Sequence, residues 1–73
     1  MHIRYTHHAK QRMITEAQVR MVLESPEELE LGDFDELIAI CQIDGRELRV
    51  IYEEVDDNTV VVFTVIRARI RQK

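Results

Sequence analysis

The stretch that decides the fold reads Leu37-Ile38-Ala39-Ile40-Cys41-Gln42-Ile43-Asp44-Gly45-Arg46-Glu47-Leu48-Arg49-Val50-Ile51-Tyr52-Glu53, followed after Asp56-Asp57-Asn58 by Thr59-Val60-Val61-Val62-Phe63-Thr64-Val65-Ile66. Leu37, Ala39, Cys41 and Ile43 alternate with Ile38, Ile40 and Gln42, the period of two that places successive side chains on opposite faces of a strand. Asp44-Gly45 between two alternating runs predicts a tight hairpin, because both central turn positions want positive φ. The return strand, 47–55, sets Leu48, Val50 and Tyr52 on one face and Arg49, Ile51 and Glu53 on the other. Residues 59–66 are so rich in Val, Ile, Thr and Phe that they read as a central strand covered on most of both faces.

Working back toward the N-terminus, residues 6–24 turn helical in period, and their caps divide them into two pieces. Thr15-Glu16-Ala17-Gln18 has the form of a capping box, with the Thr15 hydroxyl accepting from the Gln18 amide and the Gln18 side chain reaching back to the Thr15 amide. Ile14 and Val19 form the accompanying staple, and Val19, Val22 and Leu23 make one apolar face at helical spacing. Thr6 caps a shorter first helix, 7–13, with Ala9, Met13 and the stem of Arg12 turned inward, the alternative being one continuous kinked helix. Ser25-Pro26 closes the second helix, and the pattern predicts one further helical turn after Pro26 before 29–31 extends as a short edge strand. The expected architecture is α+β, a single domain over residues 1–73, with two short N-terminal helices packed on a three- to four-stranded antiparallel sheet.

The chain has 73 residues, 45% hydrophobic and 33% charged, which is one small globular domain rather than a disordered tail. A domain of this size has a marginal core, so a partner or a second copy would add to its stability. Cys41 is alone, which rules out an intrachain disulfide and a multi-cysteine zinc site and makes a reducing cytoplasm the simplest compartment. Met1-His2-Ile3-Arg4-Tyr5 lacks the flank and apolar run of a signal peptide, and no run approaches the ~18 apolar residues of a membrane span.

The net charge of −4 discourages general nucleic-acid binding, but it is unevenly spread. Arg4, Lys10, Arg12 and Arg20 outweigh Glu16 in residues 1–23, whereas residues 24–36 hold Glu24, Glu27, Glu28, Glu30, Asp33, Asp35 and Glu36 with no base. Residues 58–73 hold Arg67, Arg69, Arg71 and Lys73 with no acid. Arg67, Arg69 and Arg71 are spaced by two, so a continuing strand would project them as a row of guanidiniums suited to phosphate. A solvated tail, or pairing with the acidic block, accounts for the same row. If the first helices pack beside the last strand, the two basic ends meet on one face, which predicts modest, salt-sensitive anion binding or a basic partner for the acidic side.

For chemistry, His7 and His8 open the first helix, where the helix dipole favours a neutral imidazole. Arg12 follows His8 by one turn on the same face. A base beside a guanidinium is what cleavage of RNA through the 2′-hydroxyl needs; a buried structural His8 and an Arg12 salt-bridged to the acidic loop are the plainer alternatives. Tyr52 shares the face of Leu48 and Val50 and reads as core with its hydroxyl at an edge. No metal-ligand spacing, phosphate loop or nucleophile motif is present, so neither a metal nor a cofactor is expected.

Thr6-His7-His8-Ala9-Lys10-Gln11-Arg12-Met13, the Ile14, Val19, Leu23 and Pro26 spacing, Gly45-Arg46-Glu47-Leu48-Arg49-Val50-Ile51-Tyr52-Glu53 and Val60-Val61-Val62-Phe63-Thr64-Val65-Ile66 together resemble a bacterial domain-of-unknown-function family. Its signature is His-Ala-x-x-Arg-Met, and it looks related to the RelE/ParE-like toxins. Met13 runs directly into Ile14 here, where members of that family usually insert a few residues. The resemblance implies a RelE-like fold and a toxin of a toxin-antitoxin pair, a metal-independent endoribonuclease or an RNA binder. On that reading His8, Arg12 and Tyr52 are the catalytic candidates, and His7, Arg49, Arg67 and Arg69 bind phosphate. The implied partners are an antitoxin protein and RNA, in a homodimer or heteromeric complex. A non-enzymatic protein-binding module and a ParE-like topoisomerase inhibitor are the competing functions for the same fold.

Overall fold

The computed structural model describes residues 1–12 and 15–69, apart from the side chains of Gln11, Arg12 and Arg69. The elements are β1 (His2–Tyr5), α1 (His7–Arg12), α2 (Glu16–Glu24), β2 (Glu28–Leu31), β3 (Leu37–Ile43), β4 (Arg46–Asp56) and β5 (Thr59–Arg69). They form a five-stranded sheet in the order β1-β5-β4-β3-β2. This corrects the expected three- to four-stranded antiparallel sheet with helices at its N-terminus. The sheet is mixed, because β1 precedes the helices and runs parallel to β5, with Ile3 opposite Val60 and Tyr5 opposite Val62. The two helices are the crossover that carries the chain from the β1 edge to the β2 edge, over one face.

That face is the core. Ile3, Ala9, Val19, Val22, Leu23, Ala39, Leu48, Val50, Tyr52, Val60, Val62 and Val65 pack into one buried cluster. Thr15 caps α2 as expected, its hydroxyl accepting from the Gln18 amide at 3.1 Å, but the reciprocal half of the capping box is not made. Val19, Val22 and Leu23 are the buried stripe of α2. No helical turn follows Pro26, since the Glu27 amide donates directly to the Ile40 carbonyl and the chain enters the sheet at once. Asp44 and Gly45, at φ 53° and 75°, form the predicted hairpin between β3 and β4. The expected roles of Met13 and Ile14 in the helical core, and that of Arg71, lie outside the described residues.

The central position of the last strand is as expected, with β5 between β1 and β4, but its two-sided cover is not. Opposite the helices, Val61 is half-buried and Phe63 and Ile66 are exposed, so that face is open. The ladder with β4 explains the change of phase along the strand. Thr64 pairs with Ile51 and Val62 with Tyr52, leaving Phe63 as an extra residue in a β-bulge. Before the bulge Val60 and Val62 face the core; after it, Val65 does. Thr6 ties the bulge to the first helix: its amide donates to the Val62 carbonyl at 3.1 Å, its hydroxyl donates to the Phe63 carbonyl at 2.9 Å, and that hydroxyl accepts from the Ala9 amide at 3.1 Å as the expected N-cap.

Candidate functional site

The phase shift decides where the arginines of β5 fall. Arg67 pairs with Leu48, a core residue, and so stands on the helix side of the sheet. Arg46 occupies the adjacent inward position of β4, and its backbone pairs with that of Arg69. Arg46 and Arg67 are diagonal neighbours, with Cβ atoms about 7–8 Å apart by sheet geometry. Together with Gln18, Ile43, Asp44 and Leu48 they line a depression of about 300 Å³ at the end of the sheet.

Two features of this depression favour an anion. Neither arginine forms an ion pair among the described residues, although Asp44 shares the rim. Two unpaired guanidiniums at this spacing repel one another and are relieved by a shared phosphate or carboxylate. Gln18, in the first turn of α2, brings the positive end of the helix dipole to the rim.

The other sequence candidates are dispersed. His7 and His8 are exposed on α1, which packs chiefly on β5. Arg12 ends α1 in backbone, and its side chain, like that of Arg69, lies outside the described part. Arg49 stands on the open face, opposite the helices, where its Nε donates to Glu47 at 3.0 Å. That hydrogen bond and the Glu47 charge raise the guanidinium pKa, with Glu30 and Glu28 adding to the same field. The Arg49 charge is therefore already matched by acids of its own face.

Tyr52 is buried beneath α2, in a separate depression of about 260 Å³ that also contains Glu54, Asp56 and Asp57. Burial raises its phenol pKa, and the Glu54 charge raises it further. Three carboxylates make this a poor place for phosphate. Tyr5 is the other phenol shifted upward, first by burial and then by Glu16, with Arg20 opposing. Arg20 is held on α2 by Glu16 and Glu24 and donates to the Met1 carbonyl. Sequence reasoning does not single out Arg46, which lies in residues 37–57, where two arginines stand against six acids, or Gln18 as more than a cap.

The two basic ends meet only in part. Arg4 pairs with Val61 on the open face near the start of β5, whereas Arg67 is near its end on the helix face. None of the ion pairs among the described residues joins Arg67 to the acidic block at 24–36; β4 and β3 separate them. Among the described residues no cluster of His, Cys, Asp and Glu is grouped to hold a metal, and no described helix is long and apolar enough to cross a membrane.

A family model for a domain of unknown function, DUF4258, matches residues 5–67. The chain belongs to the DUF4258 family. No curated protein and no solved structure matches it. The DUF4258 match takes in α1 and α2, the four strands after them and Arg67, so both arginines of the depression lie within the family domain.

Proposed function

We propose that this DUF4258 chain is a toxin-type domain related to the RelE/ParE toxins and that it acts by engaging RNA through phosphate at Arg46 and Arg67, with Arg69 two residues beyond Arg67 and opposite Arg46 in the ladder. The observation that supports this reading is the pair of unpaired guanidiniums on one side of the sheet, at the rim of an open depression beside the first turn of α2. The reading is one of binding rather than strand cleavage. Tyr52 is under α2 among acids, and His8 is on the solvent side of α1, so these two do not converge on one phosphate.

The test pairs a binding measurement with a cellular one. Binding of a single-stranded RNA oligomer is followed by fluorescence anisotropy over a range of salt. Each phosphate contact contributes about 0.7 to the slope of log affinity against log salt. Arg46→Gln with Arg67→Gln should lower that slope by about 1.4 and weaken binding by roughly tenfold or more, with thermal unfolding unchanged. Expression of the native chain should arrest growth, and the double variant should relieve it. An unchanged salt slope in the double variant overturns the phosphate assignment; growth unaffected by the native chain overturns the toxin assignment.

A further inference from the structure

At the edge of the sheet farthest from β1 and β5, β2 has β3 on one side and no strand of the described residues on the other. Its register with β3 sets Leu29 opposite Ala39 and Leu31 opposite Leu37, on the helix side, and Glu28 and Glu30 opposite Ile40 and Ile38, on the open side. α2 packs on β3 and β4, so the apolar layer runs out from under its helix at β2. Leu29 and Leu31 are 56% and 71% exposed, and Phe34, in the turn that follows, is 91% exposed. That turn is held in shape by its own contacts: the Gly32 amide donates to the Glu36 carbonyl, the Phe34 amide donates to the Glu36 carboxylate, and Asp35 takes φ 65°. Phe34 is thus presented to solvent by a constrained loop, beside two uncovered leucines.

We propose that this edge accepts an extended basic-amphipathic segment of a partner protein, which adds to β2 as a sixth strand. A free strand edge offers unpaired amides and carbonyls to another strand, and charge selects which strand fits. Residues 24–36 carry seven acids and no Lys, Arg or His. A sixth strand that continues the sheet places side chains directly opposite Glu28 and Glu30, where Lys or Arg is favoured, and opposite Leu29 and Leu31, where apolar residues extend the core layer. A second copy of β2 fits badly. An antiparallel self-pairing that keeps the faces continuous matches even-numbered residues with even and odd with odd, which sets glutamate against glutamate. The partner segment is therefore an alternation of basic and apolar residues. This surface is separate from the anion site, which is lined by Gln18 of α2, Ile43 of β3, Asp44, Arg46 and Leu48 of β4 and Arg67 of β5 and by no residue of β2 or the turn after it.

The probe is a synthetic peptide of alternating Lys and Val, added to the full chain and followed by amide chemical shifts. The expected result is saturable binding, with shifts concentrated at residues 27–31 and 33–36. Binding should fall at least tenfold in Glu28→Lys with Glu30→Lys, and should be lost when alternate peptide amides are N-methylated. Leu31→Ser, at an exposed position that leaves the fold intact, should weaken binding severalfold. Arg46→Gln with Arg67→Gln should leave it unchanged, which separates this test from that of RNA binding. Equal binding of the N-methylated peptide, equal binding of an alternating Glu and Val peptide, or self-association of the chain through residues 28–31 would each overturn the proposal.

Discussion

Thr6 makes four hydrogen bonds that join β1, α1 and the bulge of β5, two through its backbone and two through its hydroxyl, and loss of the hydroxyl is expected to be costly. Thr6→Ala keeps the amide bond to Val62 but removes the hydroxyl that caps Ala9 and the donor to the Phe63 carbonyl. Loss of an N-cap costs about 1 kcal/mol. Loss of the second bond costs about 0.5–1 kcal/mol, at the low end of the usual range because water reaches the Phe63 carbonyl. The sum is about 1.5–2 kcal/mol, equivalent to a fall in Tm of about 10 °C for a domain of this size. Urea unfolding followed by circular dichroism measures it. Thr6→Ser retains both hydroxyl functions and should stay within about 0.5 kcal/mol of the native chain. The reasoning fails if Thr6→Ala is within that same margin, or if serine is as damaging as alanine.

Other consequences follow from the turns and the core. Gly45→Ala meets no neighbouring atom, yet Gly45 sits at φ 75°, so its cost of about 1–2 kcal/mol is conformational alone, and chemical denaturation should show it with an unchanged m-value. Val62→Ala opens a cavity at a fully buried position between β1 and β4 and should destabilise by about 2 kcal/mol in the same assay. The Asp56 carboxyl is held below its ordinary pKa, first by the Asn58 amide and then by the Thr59 hydroxyl. A depressed folded pKa gives stability that is present above the unfolded value and lost as pH falls through the folded one. Asp56→Asn should therefore flatten the acid side of a stability-against-pH curve; an unaltered curve would show that the carboxylate contributes nothing there.

The parts of the fold legible in the sequence are those written by local chemistry. Asp44-Gly45 specifies its turn through backbone conformation, and Thr6 and Thr15 specify helix starts through their hydroxyls, so all three are readable one residue at a time. β1 was not readable. Four residues, His2–Tyr5, carry too little pattern of their own, and they become a strand only because β5, distant in sequence, offers an edge. The bulge at Phe63 was equally hidden. Val60, Val61 and Val62 suit either face, so nothing in the run marks which residues turn inward. That single extra residue sets the face of Arg67, and the site could not be assembled without it. Arg49 illustrates the converse. The family resemblance implies a phosphate contact for it, while the register places it among Glu47, Glu28 and Glu30.

The central claim is that Arg46 and Arg67, brought together by the phase of β5, form the anion site. The most direct test is an amide chemical-shift titration of the native chain with a short single-stranded RNA. The account predicts that the largest changes fall on Gln18, on residues 44–48 and on residues 66–68, and that they disappear in Arg46→Gln with Arg67→Gln. Changes confined to His7, His8 and Lys10, or to Arg4 and the open face, would contradict it.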